Sequence, residues 1–561
     1  MIALAQADRF AQIAERFWRF VPADIAAREP PIPYPVYGPG TDPPAEPEGF
    51  LSPDAMPDLD GPRGACVIGL IDDGIPFAHE RLRHGGSSRV ASIWLQDARS
   101  DAASADPHAA GRDLGFGREL RGTRLTDLIA RHRRGGSTDE TALYAEAGAT
   151  DHHSPSRQTG NRTWSHGSAT IDVAAGFSAD DALARQFPII AVSLLPLVTQ
   201  DTSGTFVPYF AQLATLYILQ RARRLCRWLE HVQGRPQNSV RLPIVINFSY
   251  GMTAGPRDGM DPVARFQDAI SSHARRDVGP IRFVLPMGNH RQSRCTARLS
   301  AGDTIDWLVQ PDDRTPSFIE FWTPAVADPE PMRITVTPPG ASEGVTTRFT
   351  GFGQSIDLEW GSRHLARAYL QRYERAGGTW RSSLTLAVPP TVPVDGISAQ
   401  GRPGRWTLRL DAPGQADVSV HRDDSIPGPA GSGGRQSCLW TADYRLFDDI
   451  GRRIAEDDGS GLLSRQGTLN ALACGQEQIR VGGMFADETA VPYSGLGRAG
   501  EPFLHGTRQA LSDRSTLRRG LITMGMRSGS RQAASGTSIA APAIAREVAF
   551  ELAGISAISE V

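Results

Sequence analysis

The sequence predicts an α/β protein: a doubly wound, mostly parallel sheet interrupted by an inserted antiparallel β-sandwich. Three observations carry this expectation. Apolar segments of strand length alternate with helical segments from about residue 62 to 293, the pattern of a parallel sheet covered on both faces. Between residues 294 and 425 short alternating runs stand between Gly, Pro and Asp turns, as in an antiparallel sandwich. From residue 426 to 561 the α/β pattern resumes. Ahead of all three lies a separate N-terminal region, residues 1–61.

Taken in order, residues 1–20 read as an amphipathic helix through Phe10, Ile13, Phe17 and Trp18, and the proline-rich stretch up to residue 61 reads as an extended linker. "GACVIGLIDDGI" (64–75) is an apolar strand ending on acids and glycine. A polar stretch from about 97 to 163 contains one helical segment, "GRELRGTRLTDLIARHRR". A helix over 166–176, a buried strand over 187–196 and a long helix over about 208–232 follow. Strands over 242–251 and 281–289 flank a helix over about 261–275. Segments such as "TIDWLVQ", "FIEFWTP" and "GRWTLRLDAP" supply the sandwich. "QIRVGGMF" is a further buried strand, and Ser538 opens the last helix. Pro542 places that helix start close to Ser538, because proline is tolerated in a first turn, where its missing N–H has no partner anyway.

Composition narrows the chemistry. The chain has 561 residues, a formal net charge of −3 and ordinary hydrophobic and charged contents of 40% and 22%. That balance argues against a dedicated nucleic-acid binder. The Arg-rich pieces "RHRR" (131–134) and "RARRLCRW" (221–228) read as solvated helix faces. No apolar run is long enough to span a bilayer, and the N-terminus is no ordinary secretory signal. Five scattered cysteines without metal-like spacing favour reduced thiols, hence a cytoplasmic location; no cofactor and no catalytic metal is expected. No lysine occurs, so all 59 basic residues are arginine. Schiff-base, Walker-A and Ser–Lys chemistries, which need a lysine, are therefore excluded.

Four residues then line up at ends of expected elements: Asp72 closing a strand, His166 at a helix start, Asn289 closing another strand, and Ser538 at the head of the last helix. Each has a bland explanation. A strand-ending Asp before Gly is usually a turn former, a lone His before Gly a capping residue, "GN" a turn, and a helix-opening Ser an N-cap. Their joint occurrence, in the order acid, base, serine, weighs against four coincidences. A serine at a helix N-terminus sits beside free N–H donors suited to an oxyanion. It is a poor nucleophile until an imidazole takes its proton, and the imidazole needs a carboxylate to hold its tautomer.

These segments resemble those of the subtilisin-like serine proteases (subtilases). "GLIDDGIPFAHERLR" is similar to their strand-acid-turn segment, "SHGSATIDVAAG" to their histidine helix start, "VINFSYG" to the edge that pairs with substrate, "FVLPMGNH" to their oxyanion-asparagine strand, and "SGTSIAAP" to their nucleophile segment. The resemblance implies a serine endopeptidase acting through an acyl-enzyme on a protein or peptide substrate. Ser538 would be the nucleophile, His166 its base, Asp72 the orienting acid and Asn289 an oxyanion donor. Asp73 is the alternative acid, Asp72 being preferred because Gly74 then keeps the Asp-x-Gly spacing. Ser249, Tyr250, Gly251 and Gly288 would line the substrate cleft, with backbone pairing along the edge.

Departures from the pattern carry expectations too. Ser168-Ala169 stands where the family has Thr-His, a change of packing rather than chemistry. The long segment between Asp72 and His166 and the β-rich insertion are similar to clostridial spore-germination subtilases carrying a jelly-roll insert. Residues 1–61 do not look like a folded inhibitory propeptide, so activity without clipping is expected. The N-terminal helix and the β insert are the expected contacts for a homo-oligomer or partner protein. His290 beside Asn289 would favour acidic groups near the cleft, whereas the sandwich offers no obvious catalytic group. The rival reading is a catalytically silent scaffold that binds a partner peptide, and an esterase or amidase is a third.

Overall fold

The strand Val67–Asp72 (β1) is buried along its whole length, which requires a sheet covered on both faces. The computed structural model describes residues 49–98, 114, 116–150, 159–200, 202–204, 206–272, 277–361, 363–375, 377–394, 399–412, 414–424, 433–457, 461–499 and 503–555. With β2 (Val90–Leu95), β3 (Arg118–Arg121), β4 (Ile189–Ser193), β5 (Ile244–Phe248), β6 (Ile281–Pro286), β7 (Ile479–Met484) and β8 (Arg508–Leu511), β1 forms an eight-stranded sheet in the order β8-β7-β6-β5-β1-β4-β2-β3. Every neighbouring pair is parallel except β2 with the edge strand β3. The winding direction reverses around β1, and in such sheets the crevice beyond the carboxyl ends at the reversal is where sites form.

Side chains alternate across the sheet. Ile68 and Leu70 face a core shared with helices α1 (Gly122–Arg131), α2 (His166–Ala175) and α5 (Thr537–Leu552), through Leu125, Ile171, Ile544 and Val548. Val67 and Ile71 face the opposite core, shared with α3 (Val207–Val232) and α4 (Pro262–Ser272) through Phe210, Ile218 and Phe266.

Two expectations are corrected here. The helix expected from residue 117 onward begins only at Gly122, because Arg118–Arg121 pairs with β2. Glu119 explains the override of helix propensity: its buried carboxylate accepts from Arg221 at 2.7 and 2.8 Å and from Ser92 Oγ at 2.6 Å, and pairs with Arg121 at 2.8 Å. A buried charge needs such partners. The same contacts place Arg221, read as part of a solvated face, fully inside the protein.

The insertion forms two antiparallel sheets. Six strands run in the order Thr296–Ser300, Gln415–Val420, Ser317–Trp322, Thr379–Val388, Arg363–Arg375, Gln354–Trp360, and five in the order Val345–Thr346, Arg333–Thr337, Gly404–Ala412, Thr304–Val309, Cys438–Trp440. They enclose their own core around Trp307, Phe321 and Trp406. Cys438–Trp440 lies past residue 425, where the sequence pattern changes back, because a three-residue strand is too short to show alternation. The insertion's two ends are clasped at its neck, Ala297 bridging Leu463 and Ser464 N–H donating to Thr296 C=O at 3.0 Å.

The expected N-terminal helix and most of the proline-rich stretch lie outside the described residues. Residues 49–61 are not an extended linker: Phe50, Leu51 and Ala55 are buried against the body, with a single 3₁₀ turn at Pro53–Ala55.

Candidate active site

The nucleophile candidate sits where helix grammar is broken twice. Gly536 precedes α5 with φ 117° and ψ 163°, a region open essentially to glycine. Pro542 falls in the second turn of α5 rather than the expected first. It has no N–H to give the Ser538 carbonyl four residues back. Ser249 Oγ donates to that carbonyl instead, at 3.0 Å. Ser249, expected to serve the substrate through its backbone, here anchors the main chain of Ser538 through its side chain. Ser538 N–H has no hydrogen-bond acceptor among the described residues and remains free for a ligand oxygen.

His166 opens α2, whose start is fixed by a capping box between Ser165 and Ser168. The Ser168 departure from the family pattern supplies half of that box. Gly167 passes so close to Asp73 that a Cβ would stand 1.8 Å from its carbonyl oxygen. His166 Nδ1 and Asp72 Oδ1 are 2.7 Å apart, and Asp72 also accepts from Asp73 N–H and Thr170 Oγ1, each at 2.8 Å. Asp73 points elsewhere: it pairs with Arg162 at 2.8 Å and accepts from Gly167 N–H at 3.3 Å. Enclosure by itself favours the neutral imidazole. The charge and hydrogen bond of Asp72, with Asp73 behind it, outweigh that effect and raise the His166 pKa above its ordinary value, against an opposing push from Arg422.

Asn289 follows β6 with its amide oriented by the residue before Ser538. Its Oδ1 accepts from the N–H and the hydroxyl of Thr537, both at 2.9 Å, while Gly288 N–H donates to the same hydroxyl at 3.1 Å. That leaves Nδ2 toward the cleft. A Cβ added at Gly536 would lie 3.0 Å from Asn289 Nδ2 and 3.4 Å from Ser538 Oγ, so both atoms border one spot. Thr537 was not singled out in the sequence; its role depends on a residue 248 positions away.

One cleft of about 250 Å³ gathers Asp72, His166, Ser249, Tyr250, Gly251, Gly288, Asn289 and Ser538. Gly251 makes no backbone hydrogen bond among the described residues, leaving an edge onto which an extended peptide can add. Among the described residues, Ser538 Oγ makes no hydrogen bond to His166.

The sandwich reaches the cleft through Arg422 and Asp424, which form a forked ion pair, and one expectation about the cleft is overturned. His290 is half-buried, and its pKa is pushed down to about 4, first by enclosure and then by Arg422. It is neutral at pH 7 and gives no attraction for acidic groups. Among the described residues no group of three or more His, Cys, Asp or Glu is placed to hold a metal ion, and no helix is long and apolar enough to cross a membrane.

No protein-family model matches this sequence, and no curated relative does. Among solved structures, the chain is similar to the CspB protease of Clostridium perfringens. The match covers 87% of this chain and 82% of that one, at 13% identity and a TM-score of 0.53. At that identity the likeness is one of fold: an α/β body with a large parallel sheet and separate antiparallel sheets.

Proposed function

We propose that the protein is a serine endopeptidase of the subtilase type, with Ser538 as nucleophile, His166 as general base, Asp72 as orienting acid and Asn289 as oxyanion donor. The observation that carries this reading is the convergence of an Asp-bound imidazole, a helix-opening serine with a free N–H, and an oriented asparagine amide in one cleft. Ser538 Oγ attacks the peptide carbonyl carbon while His166 Nε2 takes the hydroxyl proton. The carbonyl oxygen becomes the oxyanion, met by Ser538 N–H and Asn289 Nδ2. Collapse breaks the C–N bond, and His166 returns its proton to the leaving amine. Water, deprotonated by the same imidazole, then attacks the acyl ester and regenerates Ser538.

A substrate strand would pair with Gly251 beside Ser249 and Tyr250, and Gly288 would border it opposite. The five cysteines are all unpaired and buried, which supports a reducing, cytoplasmic setting. We further propose that the insertion is a domain of the clostridial germination-protease kind, able to border partners as well as substrate.

The missing Ser538–His166 hydrogen bond is the one observation on the side of a silent, peptide-binding scaffold. Such contacts are often long before substrate arrives. A fluorophosphonate probe decides between the readings: the native chain should label at Ser538, and Ser538→Ala should not. A native chain that stays unlabelled under conditions where a known serine hydrolase reacts would make it a scaffold.

A further inference from the structure

Building on the protease reading, we infer that Asn470 closes the pocket for the residue on the amino side of the scissile bond, so that the enzyme cuts after small side chains. The attack geometry puts that residue's carbonyl carbon at Ser538 Oγ and its oxygen toward Asn289 Nδ2. A peptide pairing with the free edge at Gly251 then directs the side chain into the gap between residues 250–252 and 286–288.

Asn470 fills the floor of that gap. Its Nδ2 donates to Tyr250 C=O at 2.9 Å and to Pro286 C=O at 3.0 Å, one on each wall. Its Oδ1 accepts from Met252 N–H at 3.0 Å and Leu472 N–H at 3.2 Å, and its own N–H donates to Met287 C=O at 2.8 Å. The residue is 1% exposed yet lines the cleft. The walls close down on it: a Cβ at Gly251 would lie 3.8 Å from its Cγ, and one at Gly288 3.6 Å from its Cβ. A primary amide has two donors and one oxygen with two lone pairs, and here all are engaged. The floor therefore offers no hole for an aromatic or long aliphatic side chain and no free group to greet a polar one. Glycine and alanine fit.

The test uses peptides that differ only at that position. The native enzyme should cleave the Ala peptide with kcat/KM about 10²-fold above the Phe peptide, and Leu, Lys and Glu should also be disfavoured. Asn470→Ala and Asn470→Ser, which lower the floor, should narrow the Ala/Phe ratio at least tenfold. Because the readout is a ratio within one enzyme, loss of folded protein cancels, and probe labelling counts the active sites. Native cleavage of the Phe peptide within tenfold of the Ala peptide would overturn the inference, as would full discrimination in both Asn470→Ala and Asn470→Ser. If the native chain neither labels nor cuts any peptide, the protease reading falls and takes this inference with it; labelling with indiscriminate cutting sinks this inference alone.

Discussion

Asp72 and Asp73 are neighbours in sequence with different work. Asp72 holds the imidazole, whereas Asp73 ties the 162–167 segment through Arg162 and Gly167. Substitutions should separate them. Ser538→Ala and His166→Ala should each lower kcat by about 10⁶, and the double variant by little more, since the pair acts as a unit. Asp72→Asn should cost about 10⁴ and Asn289→Ala about 10²–10³ with KM nearly unchanged. Asp73→Asn should act mainly on stability; if it proved worse for kcat than Asp72→Asn, the acid would be misassigned. The pH profile adds a second check. The base must be neutral to act, so a raised His166 pKa puts the acid limb of kcat/KM above the ordinary imidazole value, about 6.5. Arg422 disfavours the protonated ring, so Arg422→Gln should move that limb to higher pH, and a shift downward would contradict the electrostatic account. The four candidate residues stood out because each lies at or within three residues of an element's end in a short motif. Thr537, Asn470 and Arg422 did not, since their partners are brought in by the tertiary fold.

Gly536 and Pro542 show how an element's irregularities serve its end. The glycine turns the chain sharply into α5, and the proline releases a carbonyl that Ser249 captures. Gly536→Ala should cost about 1–3 kcal/mol from backbone strain alone. Its methyl would also crowd Asn289 Nδ2, at 3.0 Å, so kcat should fall further than stability explains. Gly529→Ala is the control: its φ is also positive, at 80°, but nothing lies within 4 Å of the added carbon, so it should lose stability without losing turnover. Denaturant midpoints and kcat for the two variants check this; equal effects on kcat would refute the crowding. Elements defined by apolar strands and Gly or Pro punctuation were readable from sequence. β3 was not, because Glu, Leu and Arg are helix formers and only the ion cluster with Arg221 turns them into a strand.

At the scale of the molecule, the sandwich holds both rims of the cleft. On one rim Thr202 Oγ1 donates to Asp424 C=O at 3.0 Å. On the other, Gly255 N–H donates to Glu320 at 2.8 Å, Arg257 to Ser419 at 2.8 Å, and Arg381 to Pro256 C=O at 2.8 Å. The 253–258 segment continues directly from the substrate edge, so slackening it should blur peptide alignment. Arg381→Met should raise KM several-fold, about 1 kcal/mol, with kcat and probe labelling nearly unchanged; a fall in kcat alone would argue that the sandwich acts on the chemistry rather than on docking. None of these contacts was foreseeable, since they join residues from separate sequence blocks. The clasped neck has a further consequence for how such a chain folds. β6 and β7 must pair across the whole insertion, and joining the ends of a long disordered loop costs entropy that grows as the logarithm of its length. Once the sandwich has formed and Ala297 meets Leu463, the loop left to close shrinks to the 11 positions from Pro286 to Ala297 and the 16 from Leu463 to Ile479. Prior folding of the insert would thus spare the main sheet about 2 kcal/mol of closure entropy, so the interruption acts as a splint that brings the two halves of the α/β body into register.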